Sequence, residues 1–231
     1  MRAILVGAAL VALVTGAATP GVALAGSIKG AVVLKGAAPE ARKLPVTIDQ
    51  YVCGKEKNPE DLVVSAQGGI RNAVVWLDKP PAGATAEPLP SPTSMDQKEC
   101  SFTPRVILVP AGGRVDFLNS DRLLHNLHAT PNTNAPFNRT QPRGRTIGIT
   151  FQHPEIIKVT CDLHSWMRAW VVVAEHAVYA LTDGEGQFTM RGLPAGRYTL
   201  RAWQERLGTT SKDVVVGDPE PTAVTLEMAA R

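Results

Sequence analysis

From residue 26 onward the chain alternates short apolar-rich runs with breaks of glycine, proline and asparagine. Residues 27–34 are rich in β-formers and stop at Lys35-Gly36. Residues 44–48 predict a short edge strand, because Pro45 has no N–H to give a central ladder. Runs at 61–65 and 72–77 flank the turn signal Gln67-Gly68-Gly69. Runs at 105–109 and 114–119 flank Pro110-Ala111-Gly112-Gly113, and the second alternates polar and apolar residues as a half-buried strand should. Further strands are predicted over 145–151 and 156–160, with a Val-rich strand after residue 167. Residues 79–93 carry Pro80, Pro81, Pro88, Pro90 and Pro92 and read as a surface loop, and 130–144 shows no period. No segment repeats with a helical period. The expected class is all-β, most simply a sandwich with Greek-key connections.

A second unit follows. Residues 177–190 read as strand, Gly-rich turn and strand, 192–203 repeat the scheme, and 214–216 and 223–228 complete it. Asp183-Gly184 and Leu193-Pro194-Ala195-Gly196-Arg197-Tyr198 resemble the carboxypeptidase regulatory-like modules over roughly the last 55 residues. That resemblance implies a small prealbumin-like β-sandwich with a structural or interaction role. The expected division is 26–175 for the first domain and 176–231 for the second. Residues 26–34 also fit a first strand of the second unit, which leaves open where the N-terminus packs.

The start of the chain changes the picture of where it works. Met1-Arg2, an uncharged apolar run over 3–13 and the small residues of Val22-Ala23-Leu24-Ala25 read as a secretory signal peptide over 1–25. The apolar core is too short and too rich in Gly and Ala for a convincing membrane span. The expected location is periplasmic or otherwise secreted, with no membrane span in the mature chain. A formal net charge of +3 with dispersed basic residues gives no block suited to nucleic acid or an anionic membrane surface.

The chemistry concentrates in Thr160-Cys161-Asp162-Leu163-His164-Ser165-Trp166-Met167-Arg168. Singly, Cys161 reads as a small core residue, Met167 as apolar filler, and His125 as a solvated turn residue. Together Cys161, His164 and Met167 stand three apart, so a tight loop can turn all three inward. A thiolate, an imidazole and a thioether, with one more imidazole, describe a blue-copper site. Asp121-Arg122-Leu123-Leu124-His125-Asn126-Leu127-His128 can supply that imidazole.

These motifs resemble the cupredoxins of the plastocyanin/amicyanin type, and amicyanin most closely. That family closes its site with Cys-X-X-His-X-X-Met and opens it with His-Asn-X-His upstream. The resemblance implies one copper ion held by His125, Cys161, His164 and Met167, with Asn126 tying the ligand loops and its amide stabilising the thiolate. His128 is the alternative first ligand, on the expectation that an extended chain turns it to the same face. With Cys161 among the ligands, the three cysteines leave Cys53–Cys100 as a disulfide, worth about 4 kcal/mol in the chain-entropy model. Pairing of Cys161 with either of the others is the alternative, and it would abolish the site. His153 and His176 are expected to be exposed and structural.

Two departures stand out: Ser165 and Ala169 occupy positions where amicyanin-like loops carry Pro and Gly. The resemblance also implies that His164 edges to solvent through a patch of Leu163, Trp166 and Leu124, where a c-type cytochrome or dehydrogenase docks. The loop has no second Cys for a binuclear centre, and the chain has no His-Cys-His cluster for oxidase or nitrite-reducing chemistry. The expected function is electron transfer without enzymatic turnover. A copper carrier or storage protein, and a non-redox binding module of the cell envelope, are the rivals.

Overall fold

The computed structural model describes residues 26–80, 84, 93–217 and 220–230. The expected signal peptide and most of the proline-rich stretch lie outside the described residues. The strands form two sandwiches stacked face to face. In the first, a five-stranded sheet runs β10 (Phe137–Gln141), β9 (His125–Ala129), β12 (Glu155–Thr160), β13 (Arg168–Ala174) and β7 (Val106–Pro110). Its partner sheet runs β11 (Ile147–Phe151), β8 (Gly113–Asn119), β5 (Ser94–Lys98) and β6 (Ser101–Thr103). In the second, β15 (Gln187–Leu193), β1 (Gly26–Lys35) and β18 (Thr222–Ala229) face β14 (Tyr179–Leu181), β4 (Val74–Leu77), β16 (Gly196–Gln204) and β17 (Gly208–Val216). A small excursion of β2 (Leu44–Pro45), α1 (Gln50–Cys53) and β3 (Glu56–Lys57) connects them.

Side-chain alternation explains the stack. In β13, Ala169, Val171 and Val173 enter the first sandwich core, while Trp170 and Val172 face the other way. In β4, Val75 and Leu77 enter the second core, while Val74 and Trp76 face outward toward β7 and β13. Strands buried on both faces read as continuous apolar runs, as Val106-Ile107-Leu108-Val109 does. The seam between the units holds Val74, Val106, Leu108 and Val172 with a rim of Trp76, Trp170, Tyr179 and Trp203. Trp170 and Trp203 meet edge to face at 5.0 Å, and Trp76 stacks on Tyr179 at 5.7 Å. Such pairs are worth about 0.5–1.5 kcal/mol beyond their buried area.

The linear division at residue 175 gives way to a discontinuous one. Strand β1 pairs antiparallel with β15 and parallel with β18, and β4 lies between β14 and β16. The first 50 or so residues after position 25 therefore contribute two strands to the second sandwich, and the first is inserted between them and β14. Ile28 and Val32 are fully buried in the second core, so pairing β1 elsewhere would expose them. The short helix α1 escaped the periodicity reading because one turn gives no period; Asp49 closes it by accepting from the Val52 and Cys53 N–H groups. Strand β10 escaped because its three central residues are exposed, and the strand expected over 61–65 reduces to a bridge between Val64 and Ile70. His153 is exposed, whereas His176 is half-buried at the junction, hydrogen-bonded to the Leu77 carbonyl and accepting from the Val178 N–H.

Glu155 pins the loop ahead of β10. Its carboxylate accepts from the backbone of Asn132, Thr133 and Asn134 and from their side chains. Burial pushes its pKa up, but these donors outweigh it and hold the group at about 2, against an ordinary 4.5. A carboxylate depressed on folding stabilises above its unfolded pKa, and that contribution fades as pH falls through the folded value. The stability gap between wild type and Glu155→Gln should therefore be full at pH 7 and shrink between pH 4.5 and 2. Urea unfolding of both at pH 7 and pH 3 checks this; a gap independent of pH contradicts it.

Candidate metal centre

The antiparallel fit of β9 and β12 builds the site. Their pairing joins Thr160 to His128, so the first residue of β9, His125, stands beside the turn that follows β12. That turn carries Cys161 and His164 and re-enters the sheet as β13, with Thr160 opposite Arg168. The loop is closed by Met167 N–H to the His164 carbonyl at 2.8 Å and Cys161 N–H to the Met167 carbonyl at 3.3 Å. The i, i+3 spacing thus returns all three side chains to the end of the sandwich core. Cys161 is 2 %, Met167 1 %, and both imidazoles 0 % exposed.

Ligand atoms of His125, Cys161 and His164 lie within 4.8 Å of one another. The two Nδ1 atoms are 3.0 Å apart, and Cys161 Sγ is 3.6 Å from His164 Nδ1. Each Nε2 is committed behind: His125 to Asp121 Oδ2 at 2.8 Å and His164 to Asp49 Oδ2 at 3.1 Å. A carboxylate only accepts, so both Nε2 atoms carry the proton and both Nδ1 lone pairs point at one spot. Two bare lone pairs beside a thiolate at these separations repel, and a positive charge among them removes the repulsion. The donor set fits a single ion, which His125, Cys161 and His164 would hold between them.

Electrostatics favour the anionic sulfur. Burial pushes the Cys161 thiol up, but the adjoining His125 and His164 rings and the backbone N–H groups of Asn126 and His164 outweigh it and bring it to about 6. For His164, burial pushes the imidazole down, and Cys161 and Asp49 more than offset this, so its pKa is raised. The expected amide of Asn126 is in place, and its side-chain oxygen also accepts from the Asp162 N–H at 3.0 Å, linking the two ligand loops.

His128 does not join the cluster. It lies three residues beyond His125, an odd step in a strand, and so faces away, half-exposed, with Nδ1 2.7 Å from Asp162. The Cys53–Cys100 disulfide is formed and Cys161 is free. Because Cys100 is bridged, the overlapping group of Cys100, Asp121 and His125 offers no second thiolate. The solvent-edge expectation for His164 fails: Asp49 covers its outer nitrogen, and Trp166 is buried against it at 5.2 Å with Nε1 donating to the Cys100 carbonyl. Asp49 and Asp121 are the residues sequence reading missed. Asp121 could have been found four residues before His125; Asp49 had no local signal.

The fold and site define an all-β chain with a buried His2Cys cluster at one end of its first sandwich. Residues 167–229 match the family model of the carboxypeptidase regulatory-like domain, which begins inside the ligand loop and spans β13 to β18. Similar solved structures include two cupredoxins and a copper-containing nitrite reductase. A reduced amicyanin variant is 21% identical over 45% of this chain and 99% of its own, with a TM-score of 0.34. A purple cupredoxin from Nitrosopumilus maritimus is 19% identical over 35% and 98%, with a TM-score of 0.31. A Cu-containing nitrite reductase from Thermus scotoductus SA-01 is 25% identical over 42% of this chain, with a TM-score of 0.35; the chain spans only 26% of it. No curated protein matches the chain.

Proposed function

We propose that this chain is an exported, mononuclear copper protein that transfers single electrons, with no catalytic turnover of its own. The observation that carries the reading is the convergence of two Nδ1 atoms and one thiolate, with Met167 buried at the loop's end. Two imidazoles, a thiolate and a weak thioether are the donor set that suits copper in both oxidation states. His125, Cys161 and His164 would hold the ion, and Met167 would be its weak fourth ligand. Bound copper would supply a one-electron Cu(I)/Cu(II) couple. The protein's part is to hold the donors still: each is buried, and each imidazole is fixed through Nε2. Donors that move little between oxidation states keep the electron-transfer barrier low.

Burial also favours electron transfer over the rival of a copper carrier. A carrier hands over the ion itself and needs donors that another protein can reach, whereas these three are at most 2 % exposed. Exposed apolar side chains stand next to them in the chain. Of the five large apolar side chains well exposed among the described residues, Leu124 and Leu163 adjoin the two histidines, and Ile48 and Tyr51 flank Asp49. Such a patch suits a small, short-lived contact with a redox protein such as a c-type cytochrome or dehydrogenase. Among the described residues no helix is long and apolar enough to cross a membrane.

The mature protein loaded with one Cu(II) should show intense thiolate-to-copper absorption, and Leu163→Asp should slow electron exchange with a small c-type cytochrome. A colourless one-to-one complex overturns the thiolate-ligated blue-copper assignment. Unchanged exchange in the variant removes the patch as the docking face, and an intact physiological phenotype in Met167→Leu and His125→Ala would favour the envelope-module rival.

A further inference from the structure

We propose that Asp49 and Asp121 are positioning residues for the two imidazoles, locking each ring so that its Nδ1 faces the thiolate. The inference rests on the copper reading for its consequence but not for its geometry. Asp121 divides its carboxylate among three donors: His125 Nε2 at 2.8 Å, the Cys100 N–H at 2.8 Å and the Glu99 N–H at 2.6 Å. Asp49 gives one oxygen to His164 Nε2 at 3.1 Å, while its backbone carbonyl accepts from the Cys53 N–H at 2.9 Å. The Cys53–Cys100 bridge therefore ties the segment that carries Asp49 to the backbone N–H groups that hold Asp121. Asp49 reaches His164 across 115 residues from a left-handed backbone with φ 55°, a conformation uncommon outside glycine that Asp tolerates best with Asn. Strained non-glycine residues persist where the surroundings over-determine them, which here is the disulfide on one side and the imidazole on the other.

The chemical consequence follows from charge. A carboxylate behind an imidazole fixes its tautomer and makes the other nitrogen a stronger donor, which favours the more highly charged metal. Both rings carry one, so three negative groups surround the cluster: the thiolate and two carboxylates one ring removed. Cu(II) gains more than Cu(I) from that field, so the pair lowers the reduction potential. It also closes the outer nitrogen of His164 to water, leaving Asp49 and its apolar neighbours as the outermost layer over the site.

The test uses the full mature chain and two variants, Asp49→Ala and Asp49→Asn. Without metal, the His164 ring proton on Nε2 should be protected from exchange in wild type, exposed in Asp49→Ala and regained in Asp49→Asn. With copper, Asp49→Ala should bind Cu(II) about ten- to a hundred-fold more weakly while Cu(I) binding changes less, raising the potential. Asp49→Asn keeps the hydrogen bond without the charge and should restore the ring proton but not the low potential. Equal exchange of the ring proton in wild type and Asp49→Ala overturns the positioning role, whatever the metal does. Absence of a thiolate-to-copper band in wild type overturns the copper reading instead, and the ring-proton comparison still decides the role of Asp49.

Discussion

Cys161→Ser is expected to abolish the intense visible absorption of the copper-loaded protein and to weaken Cu(I) binding by several powers of ten. The thiolate is the only soft anionic donor in the cluster, and softness is what holds Cu(I). The two adjoining imidazoles and two backbone N–H groups bring the Cys161 thiol to about 6, so the anion is ready at neutral pH. A serine hydroxyl in the same place stays protonated and is a hard donor. The fold should survive the change, because the N–H groups of Asn126 and His164 that serve the sulfur can serve an oxygen. Absorption titration with Cu(II) and chelator competition for Cu(I) read the two effects. Retention of the band in Cys161→Ser would place the coloured thiolate elsewhere and remove the cluster as the copper site.

The second large effect concerns the seam between the sandwiches. Glu205→Ala should destabilise the protein by about 3–5 kcal/mol. Arg105 stands just ahead of β7 in the first unit and Glu205 in the turn after β16 in the second. Their side chains are 8% and 7% exposed and meet through two hydrogen bonds, from Nε and from Nη2, the latter at 2.9 Å. Removing the carboxylate strands a buried guanidinium with nothing to offset its lost hydration. That is a large share of a typical stability of about 5–15 kcal/mol. The double variant Arg105→Met with Glu205→Leu should recover most of the loss, since it removes both buried charges at once and the next residue, Val106, already belongs to the apolar seam. Denaturant unfolding of the three proteins decides it: a cost below about 1 kcal/mol for Glu205→Ala would show that the pair behaves as an exposed one and does not fasten the seam.

Local chemistry made the ligand loop readable. The step of three between Cys161, His164 and Met167 is a property of neighbouring residues, and a single hairpin turn realises it without help from the rest of the fold. The all-β class was legible for the same reason, because period-2 burial writes itself into strands with one buried face, such as β8 and β18. The Cys53–Cys100 pairing followed once Cys161 was assigned, and the structure forms it.

What the chain could not show locally was decided by register and by contacts distant in sequence. His125 and His128 are equally good ligands by type, and the expectation of a shared face overlooked that their odd step in an extended strand turns one inward and the other toward Asp162. Only their partners, His164 and Asp162, are non-local. The alternation of β1 is the same whichever sheet it joins, and its place between β15 and β18 emerged only from the second core that Ile28 and Val32 fill. Asp49 looks like any polar loop residue until the disulfide carries its segment over His164, 115 positions away. Spacing along the chain determined which side chains could share a site, because neighbours are held by covalent geometry. Which rings are covered, which strands are shared and which charges are buried depended on non-local packing, where the free energy resides in partners the local sequence does not name.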